Sequence, residues 1–190
     1  MKYALPILLC VLGAACASKA PPETHFYVFD SDIAQESARG DFTVGIGKVT
    51  VAPYLERSEL MLQVGTHEVR PARYHRWAEP LQDGVRRYLR NELSTAIGSA
   101  VDSDGHFRND WTFIVDVAVD RLHGDLGGTV VLDATYSISN SDVQKRRRVT
   151  PSQLQTGTGY AALVEAQERL LTDLASQVAA DIQKLSSKAN

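Results

Sequence analysis

The side chains that chemistry would recruit first are five histidines, His25, His67, His75, His106 and His123. None stands at metal-ligand spacing from another histidine, a cysteine or a carboxylate motif, so they read as solvated or core-edge residues. There is no Gly-x-Ser-x-Gly elbow to expose a serine nucleophile. Gly45-Ile46-Gly47-Lys48 has the glycines of a phosphate loop, but no Gly-Lys-Ser/Thr follows and no helix starts there, so no nucleotide site is expected. Asp116, Asp120 and Asp133 share one kind of strand face. They could form an acid–base carboxylate pair; the plainer reading is the wet side of a half-buried sheet. Lys145-Arg146-Arg147-Arg148 is the one charge cluster. It suits either anionic headgroups or an acidic partner, or a charged sheet edge that blocks aggregation. Tyr54 and Trp77 read as partner anchors or as core contacts. The residues alone therefore point to no enzyme, cofactor or metal.

Composition narrows the class further. The chain has 190 residues, 44% hydrophobic and 23% charged, with a formal net charge of −3. That fits one globular domain and gives no overall attraction to nucleic acid.

Residues 1–15 differ from the rest. Lys2, the apolar run Ala4 to Leu12 and the small residues Gly13-Ala14-Ala15 make an export signal. The run is well short of the ~20 residues that cross a bilayer. Leu12-Gly13-Ala14-Ala15-Cys16 resembles the lipobox of bacterial lipoproteins, although Gly13 occupies the place where Leu is preferred. By that resemblance Cys16 is the lipid attachment site. Of the two cysteines, Cys10 lies inside the signal, so a mature chain would keep one thiol and no disulfide. Ala17 follows, where Asp would mark inner-membrane retention, and the implied address is the periplasmic leaflet of an outer membrane. Residues 16–24, with Pro21 and Pro22, form a tether whose roughly eight residues span ~26–29 Å when extended.

Residues 25–190 read as a single domain. His25 to Phe29 is a short strand. From Phe42 to Val51 the apolar phase moves from even positions (Phe42, Val44, Ile46) to odd ones (Val49, Val51), which a β-bulge at Gly47-Lys48 would restore to one face. A proline turn follows at 52–55, then a hairpin from Ser58 to Pro71. Pro80 opens a helix whose Leu81, Val85, Tyr88, Leu89, Leu93, Ala96 and Ile97 recur at helical spacing, with Arg86, Arg87, Arg90 and Asn91 opposite. It should end at Gly98. Trp111, Phe113, Val115, Val117 and Val119 alternate on a strand, a turn at Gly124–Gly128 reverses the chain, and Val130, Leu132, Ala134, Tyr136 and Ile138 repeat the pattern. An edge segment near 145–157 and a long helix from Leu163 to Leu185 complete the series. Together they predict an α+β fold in two layers, a largely antiparallel sheet with two amphipathic helices on one face.

With these elements in place, the chain resembles the ABC-type transport auxiliary lipoproteins, the PqiC-like family. The resemblance rests on the lipobox, on Gly45-Ile46-Gly47-Lys48-Val49 leading to Pro53-Tyr54-Leu55-Glu56-Arg57, and above all on Arg76-Trp77-Ala78-Glu79-Pro80-Leu81. Lys48 stands where the family often has Pro, and Gln63 near an expected Arg. The family implies an accessory of an inner-membrane ABC transporter and its MCE-domain protein, moving lipid between membranes. Palmitate on Cys16 would anchor it, with Tyr54, Arg57, Trp77 and Glu79 as candidate partner-binding residues if exposed. Association with further copies of the chain is left open. The rival expectation is a lipoprotein that regulates envelope assembly or a cell-wall synthase.

Overall fold

β6, Phe113–Asp125, is the strand on which the others are hung. The computed structural model describes residues 22–31, 42–103 and 110–189. Cys16, the signal and most of the tether, the polar connection expected over residues 33–40, and His106 lie outside the described residues. β7 (Thr129–Ser139) runs antiparallel to β6 along almost its whole length. On the other edge of β6 two strands share the space. β2 (Val44–Val51) lies parallel to its first half, and β3 (Glu59–Gly65) lies parallel to its last residues, Gly124 and Asp125.

Outward from these, β3 forms a hairpin with β4 (Glu68–Trp77), and β1 (His25–Tyr27) adds in parallel to β4. β5 (Val101–Asp102) adds to β2, and β8 (Gln144–Val149) and β9 (Ser152–Leu154) add to β7. The sheet is open and mixed in direction. Its ladders to β7 and its β3–β4 hairpin are antiparallel, and the architecture is the α+β fold expected from the pattern.

Two helices, α1 (Leu81–Ile97) and α2 (Gly159–Ala189), pack against each other and cover one side of the sheet. The alternating residues of β6 and β7 supply that side. Val115, Val130, Leu132, Ala134, Tyr136 and Ile138 are wholly buried, facing a helix layer that includes Leu89, Leu93, Leu170, Leu171, Leu174 and Ile182. Burying one such side chain contributes roughly 1.5–3 kcal/mol, so this seam dominates the stability.

The bulge between Ile46 and Val49 lies where the phase shift put it. Val44, Ile46, Val49 and Val51 all enter the core, while Lys48 is turned out. Pro80 caps the start of α1, and Gly98 ends it in the left-handed conformation at φ 75°, its N–H donating to Ser94 O at 2.9 Å. A glycine is required there because an L side chain would be strained.

Three details differ from the sequence pattern. Trp111 does not join the core face of β6. The strand begins two residues later, and the indole lies instead over Gly45, with Nε1 donating to Asp102 at 3.1 Å. A second bulge between Val119 and Arg121 shifts the phase of β6, so Leu122 enters the core. Asn91 is buried on α1, where its Nδ2 donates to Ser31 Oγ at 2.8 Å; a satisfied amide is tolerated on a face otherwise apolar.

Candidate functional site

Two separate chain segments meet where β2 ends, level with Val119 in the middle of β6. β2 leads into a 3₁₀ turn, Pro53–Leu55, fixed by Leu55 N–H on Ala52 O at 2.8 Å. β4 leads toward α1 and is joined to that region by Trp77 N–H on Ser58 O at 2.7 Å. Between them Val51, Glu56, Pro80, Leu81 and Gln82 line an open groove of about 330 Å³. Residues read as separate motifs in the sequence thus become one surface.

The four candidate binding residues differ sharply in availability. Arg57 is exposed, and its Nε approaches Glu59 at 3.6 Å. Behind it Arg76 donates to Glu59 at 3.0 Å, and that bond holds the Glu59 carboxyl below the usual carboxylate range. Glu79 is partly exposed and accepts from Arg87 Nη2 at 2.6 Å; the same nitrogen reaches Phe29 O at 3.0 Å, tying the segment after β1 to the start of α1.

Tyr54 is partly buried edge-on against His123, with rings 6.2 Å apart, and donates to Asp120 O at 3.2 Å. Burial pushes its phenol up to about 12, so it stays a donor. Trp77 is the correction. It lies at the end of β4, not at a helix start, and is only 7% exposed, packed at 4.7 Å against Phe29. An indole so placed fills the core and offers no anchor to a partner.

Two of the four described histidines lie together. His25, His75 and Tyr160 form a stack, with centroids 5.2 and 3.7 Å apart, and the Tyr27 hydroxyl is 2.8 Å from His75 Nδ1. Burial, then the neighbouring His25, pushes the His75 pKa down. His123 is buried beneath Tyr54, and His67 sits in the β3–β4 turn. Among the described residues, no group of three His, Cys, Asp or Glu is placed to hold a metal ion.

Charge on the sheet is more structural than the sequence suggested. Asp133 is buried and takes a two-pronged bond from Arg148, at 2.8 and 2.7 Å, with Arg121 at 3.4 Å. The Arg148 bond holds its carboxyl below the ordinary range. It therefore pairs with arginines, not with Asp116 or Asp120. On the helix side, buried Asp181 of α2 accepts from Tyr136 at 2.8 Å and meets Lys145 at 2.8 Å and Arg147 at 3.6 Å. Burial raises its pKa, but the Lys145 and Tyr136 hydrogen bonds outweigh this and leave it lowered. Asp181 was legible in principle, as a carboxylate set between Val178 and Ile182 on an apolar stripe.

Residues 28–179 match the model of the family described as ABC-type transport auxiliary lipoprotein component, and the chain belongs to that family. It is 22% identical to the intermembrane transport lipoprotein PqiC of Escherichia coli K12, over 97% of this chain and all of that protein. Among solved structures, an uncharacterized protein superposes with a TM-score of 0.73, at 20% identity over 85% of this chain and 99% of its own. A Xanthomonas campestris protein follows with 0.68, at 15% identity over 88% of this chain and 100% of its own. These two structural likenesses show a shared fold.

Proposed function

We propose that this chain is a non-catalytic accessory of an MCE/ABC-type intermembrane lipid transport system, held by acylated Cys16 at the periplasmic face of an outer membrane. In this reading residues 1–15 are the export signal, 16–24 the tether and 25–190 one domain. The match over 97% of the chain to an intermembrane transport lipoprotein, within a transport auxiliary family, carries the reading. The groove lined by Glu56, Pro80, Leu81 and Gln82 supports a working surface there, with Arg57 and Glu79 next to its lining residues in the chain.

The test is co-purification of the full chain from detergent-solubilised membranes. The transporter's MCE-domain protein and permease should come with the wild type and decline with Arg57→Glu. Capture of a cell-wall synthase alone would replace this reading with envelope regulation. Cys16→Ala should abolish palmitate labelling and release the chain from membranes; unchanged labelling would remove the anchor from the proposal.

A further inference from the structure

The side of the sheet away from the two helices holds a second feature, apart from the motif junction. Lys48, Thr50, Asp116, Thr135, Ser137 and Arg146 line an open groove of about 240 Å³ across β2, β6, β7 and β8. Strand register explains how they meet. Asp116 lies opposite Ser137, and Ser137 opposite Arg146; in the next row Thr50 lies beside Ala118, and Ala118 opposite Thr135. The floor is therefore made of small side chains, three of them hydroxylated.

The two cations reach this groove for separate reasons. Strict alternation from Val44 and Ile46 would have pointed Lys48 into the core, and the bulge turns it to the open side. The bulge is held by Asp116 Oδ1, which accepts the Lys48 backbone N–H at 2.6 Å in space that a Cβ on Gly47 would occupy. Arg146 belongs to the basic run of β8, whose other members are each paired: Lys145 and Arg147 share Asp181, and Arg148 is held by Asp133. Among the described residues, the Lys48 and Arg146 side chains have no acidic partner of their own. They stand three strand spacings apart, about 14 Å between backbones, with Asp116 and Ser137 in the row between them and Thr50 and Thr135 in the next row.

We propose that this groove binds a phosphate group, with Lys48 and Arg146 supplying charge and Thr50, Thr135 and Ser137 supplying hydrogen bonds. Guanidinium and ammonium groups over a hydroxylated floor suit the tetrahedral oxygens of phosphate. Asp116 carries the same sign of charge as the ligand and sits in the row between Lys48 and Ser137, so it limits affinity while it holds the bulge. The site stands on its own geometry; its failure would leave the co-purification result untouched.

The experiment is a titration of the isotope-labelled full chain, reading backbone amide shifts. Dihexanoyl phosphatidylglycerol below its micelle concentration, glycerol 3-phosphate and inorganic phosphate are the three ligands. Amides of Thr50, Ser137 and Arg146 should move, and Lys48→Gln with Arg146→Gln should weaken binding at least tenfold. Asp116→Asn keeps an acceptor for Lys48 N–H and should tighten binding, while Arg73→Gln, outside the groove, should change nothing. Response to the two glycerol esters but not to inorganic phosphate identifies a lipid headgroup; an equal response to all three identifies free phosphate. No movement at these amides with any ligand, or equal binding by the double variant, overturns the proposal. Both cations are solvent-facing, but if the double variant lost its dispersed spectrum, each single variant would carry the same test, with weakened binding expected.

Discussion

The two sides of the sheet are built on different physics. The helix-covered side is a continuous apolar seam in which Val115, Leu132, Tyr136 and Leu170 are almost completely buried. The open side carries charge, and its order depends on which cation finds which carboxylate. On the covered side each residue contributes by area removed from water, largely irrespective of neighbour identity. On the open side a single carboxylate decides whether a nearby arginine is structural or free to act. Asp181 links the two, because it leaves the apolar stripe of α2 to neutralise β8 from beneath.

The sharpest way to break this contrast is on the covered side. Leu89→Ala or Leu93→Ala, each 1% exposed, should cost about 2–5 kcal/mol in urea unfolding. A loss below about half a kcal/mol at both would mean the seam is not what holds the fold.

Removing the link comes next. Asp181→Ala leaves the buried Tyr136 hydroxyl without its acceptor and two cations without a counter-charge. A loss of about 1–3 kcal/mol is expected, and Lys145→Ala should be much milder because that side chain can turn to water.

The pH dependence separates the carboxylates paired with cations from one that accepts a backbone N–H. Asp133, Asp181 and Glu59 have lowered pKa values, so the unfolded chain binds more protons than the folded one at acidic pH. Their stabilisation is fully present above the ordinary carboxylate range of about 4 and is lost as pH falls through the folded values. Glu168 has the opposite sign. Burial raises its pKa, so the folded state holds its proton longer and stability falls as pH rises through that window. Urea midpoints of Asp133→Asn should show a weaker acid-side decline than wild type, and those of Glu168→Gln a weaker fall above about pH 4.5.

The smallest effect on stability is expected at the motif junction. Arg57→Ala, at an exposed pair, should change unfolding by less than about 1 kcal/mol while reducing transporter co-purification. Loss of both together would make Arg57 a structural residue.

Much of the covered side was legible in the order of residues alone. Period-two alternation on β6 and β7, period-3.6 spacing on both helices, the bulge at Gly47-Lys48 and the stop at Gly98 each arise from local geometry that side-chain order records. The two antiparallel hairpins were legible too, but the parallel pairings were not, since the placement of β2 beside β6 depends on a crossover that no local pattern encodes. Nor was the candidate site. Trp77 reads as anchor or, more often, core in a string of residues, and its packing against Phe29 joins positions far apart in the chain.

Sequence by itself determined the elements, the apolar faces and the family, because these depend on spacing between near neighbours. Tertiary structure alone decided which charges are spent. Asp133 meets Arg148 across a strand pair, and Asp181 meets Lys145 from another layer. An electrostatic partner is chosen by distance in space, and that leaves Lys48 and Arg146 together on the open face.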